Sequence, residues 1–269
     1  MNDKHTWKVL EIFGSIIDRE LLITSFVDDV LGYENKDDSS LVYFDNISKK
    51  YLEDYIQSNS NIKKWEWSEI VEKNWMQNCH DFFKPISIKD KVYISTVWDQ
   101  DEKNDMINIK INPALAFGTG HHETTYMMIE AMLDFDFKDK SVLDIGTGSG
   151  ILSILSKRLG SNRILAIDND HLTENNFIEN LKFNHIDDVE FKIADCTSFI
   201  DYNFDIVLAN INRSVIVDII PNLTSSNTLV FLSGILNSDE DLISDLLNQY
   251  NRKIQKIYRK NKWSCIVIK

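Results

Sequence analysis

The sequence is short of cysteine, of long apolar runs and of positive charge, and each shortage removes a class of protein. Three cysteines, Cys79, Cys196 and Cys265, stand far apart in 269 residues. An odd, dispersed set supports neither a disulfide framework nor a C-x-x-C metal or redox motif. No apolar run approaches the ~20 residues needed to span a bilayer. The start, M-N-D-K-H-T-W-K, lacks the charged-then-apolar pattern of a secretory signal. A cytoplasmic protein with no membrane partner is therefore expected. Twenty-nine basic residues stand against 42 acidic ones, for a formal net charge of -13. Phosphate backbones are gripped by a basic footprint, so no direct nucleic-acid grip is expected. An acidic surface favours a basic, lysine-bearing protein partner, and it also keeps a chain soluble. There is no internal repeat and no low-complexity tract.

What is present is an ordinary globular composition, 43% hydrophobic and 26% charged. From Ser141 onward, short runs rich in Val, Ile and Leu recur: S-V-L-D-I, R-I-L-A-I-D, V-E-F-K-I-A-D, F-D-I-V-L-A-N-I and T-L-V-F-L-S. Segments of helix length separate them, Gly150 to Leu159, His171 to Asn184, Asn212 to Leu223 and Asn237 to Tyr250. Strands alternating with helices predict a doubly wound, mostly parallel α/β sheet covered on both faces. The last two apolar runs, joined at Asn261-Lys262, predict an antiparallel C-terminal hairpin on its edge. Residues 1–58 carry their own apolar set and read as a small N-terminal α/β domain. A loose helical stripe of Ile70, Trp75, Met76 and Phe82 predicts a connecting helix within 59–82, and the catalytic domain follows over 83–269.

The loop S-V-L-D-I-G-T-G-S-G lies where the first of these strands turns into the first helix. Its glycines, Gly146, Gly148 and Gly150, are spaced G-x-G-x-G. A dinucleotide fingerprint needs G-x-G-x-x-G, and position 151 is Ile151. A pyrophosphate asks for close amide approach at a helix N-terminus. A ligand without phosphate needs only a tight turn and room. Asp144, just before the glycines, would repel phosphate and attract an ammonium group. S-adenosylmethionine has an ammonium, a sulfonium and no phosphate, so it is the cofactor expected here. Asp168 ends the second strand 22 residues beyond Gly146, where a carboxylate can accept hydrogen bonds from both ribose hydroxyls. Asp195, ending the third strand, either starts the following loop, as an acid there commonly does, or reaches an adenine amine. Asn210 ends the fourth strand, whose carboxyl end faces the cofactor cleft. Its amide offers an acceptor that can hold an attacking amine in line with a methyl group. These spacings count against a nicotinamide-dependent oxidoreductase of the same fold. The intact acids and Asn210 count against a binding module without turnover.

Upstream lies N-P-A-L-A-F-G-T-G-H-H-E-T-T, Asn112 to Thr125. A metal reading of His121 and His122 lacks further ligands, and adjacent histidines do not share a helix face. Shaping the chain near a helix start is the role expected of them. With A-F-G-T-G-H-H-E-T-T, V-L-D-I-G-T-G-S-G-I-L, A-N-I and L-S-G-I-L together, the sequence resembles PrmA, the ribosomal protein L-eleven methyltransferase family. The resemblance runs from about Trp65 to the end, and A-F-G-T-G-x-H makes it specific. It implies a class I methyltransferase that methylates amino groups of a large-subunit ribosomal protein and recognises it through a small N-terminal domain. Carried over by position, the cofactor contacts fall on Thr125, Gly146, Asp168 and Asn210. The chain departs from the family at Asn112, where aspartate is common, at Glu123, where proline is common, and at Thr147, where cysteine is usual. Relatives that methylate planar nitrogens in release factors or RNA commonly show N-P-P-Y at the fourth strand, and here those prolines are absent.

Overall fold

The computed structural model describes residues 6–26, 30, 32–36, 38–44, 47–71, 84–113, 119–199, 201–223, 225 and 227–269. The chain divides into two compact units, Met1–Phe82 and Phe83–Lys269.

In the first unit, strands β1 (Thr6–Phe13), β2 (Gly32–Asn35), β3 (Ser39–Phe44) and β4 (Lys64–Val71) form an antiparallel sheet in the order β2-β3-β1-β4. Helix α1 (Ile16–Thr24) follows β1, and α2 (Lys49–Asn59) follows β3. Ser48 caps α2 by accepting from the Tyr51 amide, which satisfies one of the unpaired donors of its first turn. Side chains alternate along β1, so Leu10 and Ile12 share one face and pack with Val42, Phe44, Leu22, Leu52 and Ile56. Part of the expected connecting helix is a strand instead. K-W-E-W-S-E-I-V pairs with β1 along its whole length, Trp67 opposite Leu10 and Trp65 opposite Ile12. Both tryptophans join the cluster under the sheet. The period of two in this segment, with bulky aromatics on one face, outweighed a helical stripe. The stripe's remaining members, Trp75, Met76 and Phe82, lie outside the described residues, as does Cys79.

The second unit opens with a small sheet, β5 (Ile86–Ile88), β6 (Val92–Thr96) and β7 (Ile107–Ile111). Helix α3 (Glu123–Met132) leads into the large sheet of β8 (Ser141–Ile145), β9 (Arg163–Asp168), β10 (Glu190–Ile193), β11 (Ile206–Asn210), β12 (Leu229–Leu236), β13 (Ile254–Lys260) and β14 (Trp263–Ile268). Helices α4 (Ile151–Arg158), α5 (His171–Phe183), α6 (Arg213–Ile219) and α7 (Glu240–Gln249) connect its strands. The order is β10-β9-β8-β11-β12-β14-β13, with β8 to β12 parallel and the last two strands antiparallel. This is the doubly wound sheet with a C-terminal hairpin that the alternation of strands and helices predicts.

Alternation within the strands builds two cores. Val142, Ile164, Ala166, Leu208 and Phe231 point to one face, under Met127, Met128, Ile154 and Phe177 of α3, α4 and α5. Leu143, Ile145, Ile167, Val207 and Leu232 point to the other, under Ile216, Ile219, Ile243 and Leu247 of α6 and α7. All are at most 3% exposed. Burying one such side chain contributes about 1.5–3 kcal/mol, so this sandwich fixes the strand ends that carry the site. Among the described residues no helix is long and apolar enough to cross a membrane.

Candidate active site

Strands β8 and β11 lie side by side, with Ile145 opposite Ala209. The chain leaves β8 toward β9 on one side and leaves β11 toward β12 on the other. That reversal opens a crevice at the carboxyl ends of the strands. A cleft of about 730 Å³ sits there, bordered by Gly146, Gly148, Asp168, Asp195 and Asn210, and by His122 and Trp263. Its size falls within the roughly 300–1,000 Å³ of small-ligand sites.

Asp168 is 8% exposed. Its Oδ2 accepts from the Gly148 amide at 2.9 Å and its Oδ1 from the Asp170 amide at 3.0 Å. Each oxygen keeps a further lone pair toward the cleft. The Gly148 amide, which a pyrophosphate would claim, is therefore committed to a carboxylate. No lysine or arginine lines the cleft among the described residues, whereas Asp168, Asp170 and Asp195 do. This donor set fits a cationic cofactor without phosphate and does not fit a dinucleotide. Asp195 is exposed at the rim, with Oδ1 accepting from the backbone amide and hydroxyl of Thr197 at 2.8 Å each. Those bonds, the backbone one first, hold its carboxyl below the usual range.

Two expected site residues meet. The Asn210 side-chain amide donates to the Thr125 hydroxyl at 3.1 Å. Among the described residues nothing donates to the Asn210 Oδ1. Thr125 itself is 1% exposed and does not border the cleft, so its hydroxyl serves Asn210 rather than facing a cofactor directly. Beyond Asn210, the Ile211 carbonyl runs so close to Gly234 that a Cβ there would sit 2.1 Å from its oxygen. Only glycine tolerates this approach, with its φ of +94°.

Asp144 is placed differently from the expectation. It has the same parity on β8 as Val142, so its side chain enters the face covered by α4 and is fully buried. It does not border the cleft. Its Oδ2 accepts from the Thr147 and Ser153 hydroxyls, both at 2.7 Å, while Oδ1 is buried with no partner among the described residues. Asp144 thus ties the glycine loop to α4 from behind and does not contact an ammonium directly. Burial pushes its pKa up to about 6, against the lowering effect of the two hydroxyls and with a further rise from the Asp168 charge.

The two histidines shape the chain, as expected. His122 caps α3 through its ring nitrogen, which meets the Thr124 amide at 3.3 Å and the Thr124 hydroxyl at 2.8 Å. The His121 Nε2 lies 2.7 Å from the Lys84 carbonyl. The A-L-A-F-G part of that stretch, 114–118, lies outside the described residues. Sequence reasoning missed Trp263, whose ring packs edge-on to His122 with centroids 5.4 Å apart beside the cleft. No local motif marks it. The tight turn at Asn261-Lys262 is what returns the hairpin to this rim.

The strand order, the switch-point cleft and the phosphate-free donor set define a class I S-adenosylmethionine-dependent methyltransferase. The chain matches the model of the ribosomal protein L11 methyltransferase (PrmA) family over residues 11–269 and belongs to that family. A ribosomal protein L11 methyltransferase from Prochlorococcus marinus is 37% identical over 247 residues, 88% of this chain and 79% of that one. Another from Clostridium perfringens is 32% identical over 208 residues, covering 76% of this chain and 66% of the relative, just under two thirds of its length. Among solved structures, a ribosomal protein L11 methylase from Lactobacillus delbrueckii subsp. bulgaricus superposes with a TM-score of 0.66 at 28% identity, over 70% of this chain and 98% of that one.

Proposed function

We propose that this enzyme, acting in the cytoplasm, transfers methyl groups from S-adenosylmethionine to amino groups of a basic large-subunit ribosomal protein, the counterpart of L11. The amines are lysine side chains, an N-terminal amine or both. The observation that carries this reading is the Asn210–Thr125 pair, which leaves the Asn210 Oδ1 uncommitted at the mouth of the switch point.

The cofactor supplies an electrophilic methyl group on a sulfonium. Asp168 accepts from the ribose hydroxyls, and the glycine loop leaves room for the amino-acid tail. The Asn210 Oδ1 accepts an N–H from the incoming amine and aims its lone pair at the methyl carbon. An in-line displacement of this kind needs no covalent intermediate, and alignment with exclusion of water supplies much of the rate. A lysine, with an ordinary pKa of about 10.4, must first lose its proton. Partial burial beside a positive charge favours the neutral amine, and the proton leaves to solvent.

The first unit recognises the protein substrate in this reading. Residues 1–60 contain 12 acidic and six basic residues, a formal -6, which suits a lysine-rich partner. Incubation with labelled S-adenosylmethionine and total ribosomal proteins tests the reading. Label in one large-subunit protein is the expected result. Label confined to RNA, or tight binding of NADH in place of S-adenosylmethionine, would overturn it.

A further inference from the structure

Helix α5 and its C-terminal cap carry three asparagines one turn apart, Asn176, Asn180 and Asn184, and none of their side chains faces solvent for display. Asn180 is fully buried and Asn184 is 3% exposed. The Asn184 amide accepts from the Lys110 N–H at 2.9 Å and donates to the Lys110 carbonyl at 2.7 Å. One step along, the Asn112 N–H donates to the Asn180 Oδ1 at 2.7 Å, and the Asn112 carbonyl accepts from Asn176 at 3.2 Å. Side-chain amides thus bond β7 and its continuation as a neighbouring strand would. The spacing permits it: four helical residues rise about 6 Å and two strand residues about 6.6 Å, so every fourth helix position meets every second strand position. This ladder is a sheet edge completed by a helix.

Asn180 does something its two neighbours do not. Its Nδ2 donates at 2.9 Å to the carbonyl of Ser149, inside the glycine loop. One turn earlier on the same helix, Phe177 lies where a Cβ on Gly150 would come within 2.7 Å of its ring. Helix α5 therefore supports the loop at two adjoining residues, and Asn180 alone joins it by hydrogen bonds to Asn112. Further along the chain, His122 and Thr124 also border the cleft.

We propose that Asn180 is a positioning residue for the cofactor: a single buried amide ties the Ser149 carbonyl of the glycine loop to the Asn112 backbone, so that one side chain sets the loop against the segment leading to α3. Its carbonyl end holds the strand and its amino end holds the loop. Asn184, one turn further, bonds the strand at Lys110 and the Asn180 carbonyl of its own helix, and its side chain makes no bond to the loop.

The matched variants are Asn180→Asp and Asn184→Asp. Each keeps the acceptor for a backbone N–H and turns a donor facing a carbonyl into an oxygen. Titration of S-adenosylhomocysteine into the full chain, followed by calorimetry, should show affinity lowered about tenfold or more by Asn180→Asp and unchanged within twofold by Asn184→Asp. The KM for S-adenosylmethionine should rise in the first variant while kcat at saturation stays within about threefold. Equal effects in both variants, or none in either, would overturn the proposal. If Asn180→Asp does not fold, hydrogen exchange in the parent protein decides. S-adenosylhomocysteine should slow exchange at the Asn112 amide much more than at the Lys110 amide, and equal slowing at both would reject the role. The inference rests on the cleft being the cofactor site. A parent protein that fails to bind S-adenosylhomocysteine would sink that reading, whereas a parent that binds with an indifferent Asn180→Asp variant would sink only this one.

Discussion

The side chains of Asn210 and Thr125, 85 residues apart in the chain, share a hydrogen bond of 3.1 Å at the end of β11. The bond fixes the rotation of the Asn210 amide, because its NH2 end is committed and its oxygen is directed elsewhere. Orientation of a reacting group is worth several kcal/mol in favourable cases. Asn210→Ala should lower turnover about a hundredfold, close to 2.7 kcal/mol, with a smaller loss of cofactor affinity. Thr125→Val should lower kcat about tenfold at unchanged S-adenosylhomocysteine affinity, because it acts through Asn210. Parent-like kcat in both variants would leave Asn210 as a turn residue.

The reach of the sequence ended where local pattern stopped deciding structure. The parallel strands and the hairpin were legible because most of these runs, β8, β9, β11, β12 and β14, are buried on both faces and so read as continuous apolar stretches. The edge strands β10 and β13 follow from their place in the alternation. Asp168 and Asn210 were legible because strand ends at a switch point face the cleft. The role of Asp144 was misjudged although its position was right: the parity of β8 turns its side chain under α4, and parity outweighs proximity to the glycines. Thr125 was expected against the cofactor, and only the fold reveals that its hydroxyl bonds Asn210 and that Asn210, not Thr125, borders the cleft. β4 was read as helix because its period of two covers just eight residues. The small sheet β5-β6-β7 has short strands and pairs partly with asparagine side chains from the α5 segment, a pairing that a strand's own period of two does not reveal.

Asp168 should govern cofactor affinity. Asp168→Ala removes the acceptor for the ribose hydroxyls and also frees the Gly148 amide, so a loss of about 2 kcal/mol or more is expected for charge-assisted bonds. Calorimetry with S-adenosylhomocysteine checks this, and unchanged affinity in a folded variant would remove Asp168 from the site.

The first unit should affect the protein substrate and not the cofactor. Because β4 pairs with β1, a chain starting at residue 59 would keep β4 without the other three strands of its sheet, and the informative cut begins at Lys84. A chain starting there should bind S-adenosylhomocysteine with parent-like affinity and methylate the ribosomal protein at least tenfold more slowly. Full activity on the intact ribosomal protein would remove the recognition role.

Asp144 should make the enzyme less stable as pH rises through weak acidity. Its folded pKa of about 6 stands above the ordinary 3.8, with burial as the main cause. Between those values the folded protein holds a proton that the unfolded chain has released. Stability linked to Asp144 is then fully present below pH 3.8, declines as pH rises toward 6 and is flat above. A displacement of about two pKa units corresponds to roughly 3 kcal/mol. Other carboxyls slope the opposite way: Asp134 and Glu240, held low mainly by hydrogen bonds from Lys256 and Arg259, lose their contribution in acid. The parent's own profile mixes these effects, so the difference between parent and Asp144→Asn is the useful quantity. The amide oxygen of the variant can still accept from Thr147 and Ser153, and it carries no charge at any pH. Denaturant unfolding at pH 4 to 8 should therefore show the parent losing roughly 2 kcal/mol relative to the variant between pH 4 and 7, part of the full effect being already gone at pH 4. Parallel profiles would mean that Asp144 ionises as an ordinary carboxylate, and that the glycine loop is held by a charge rather than by a neutral buried acid.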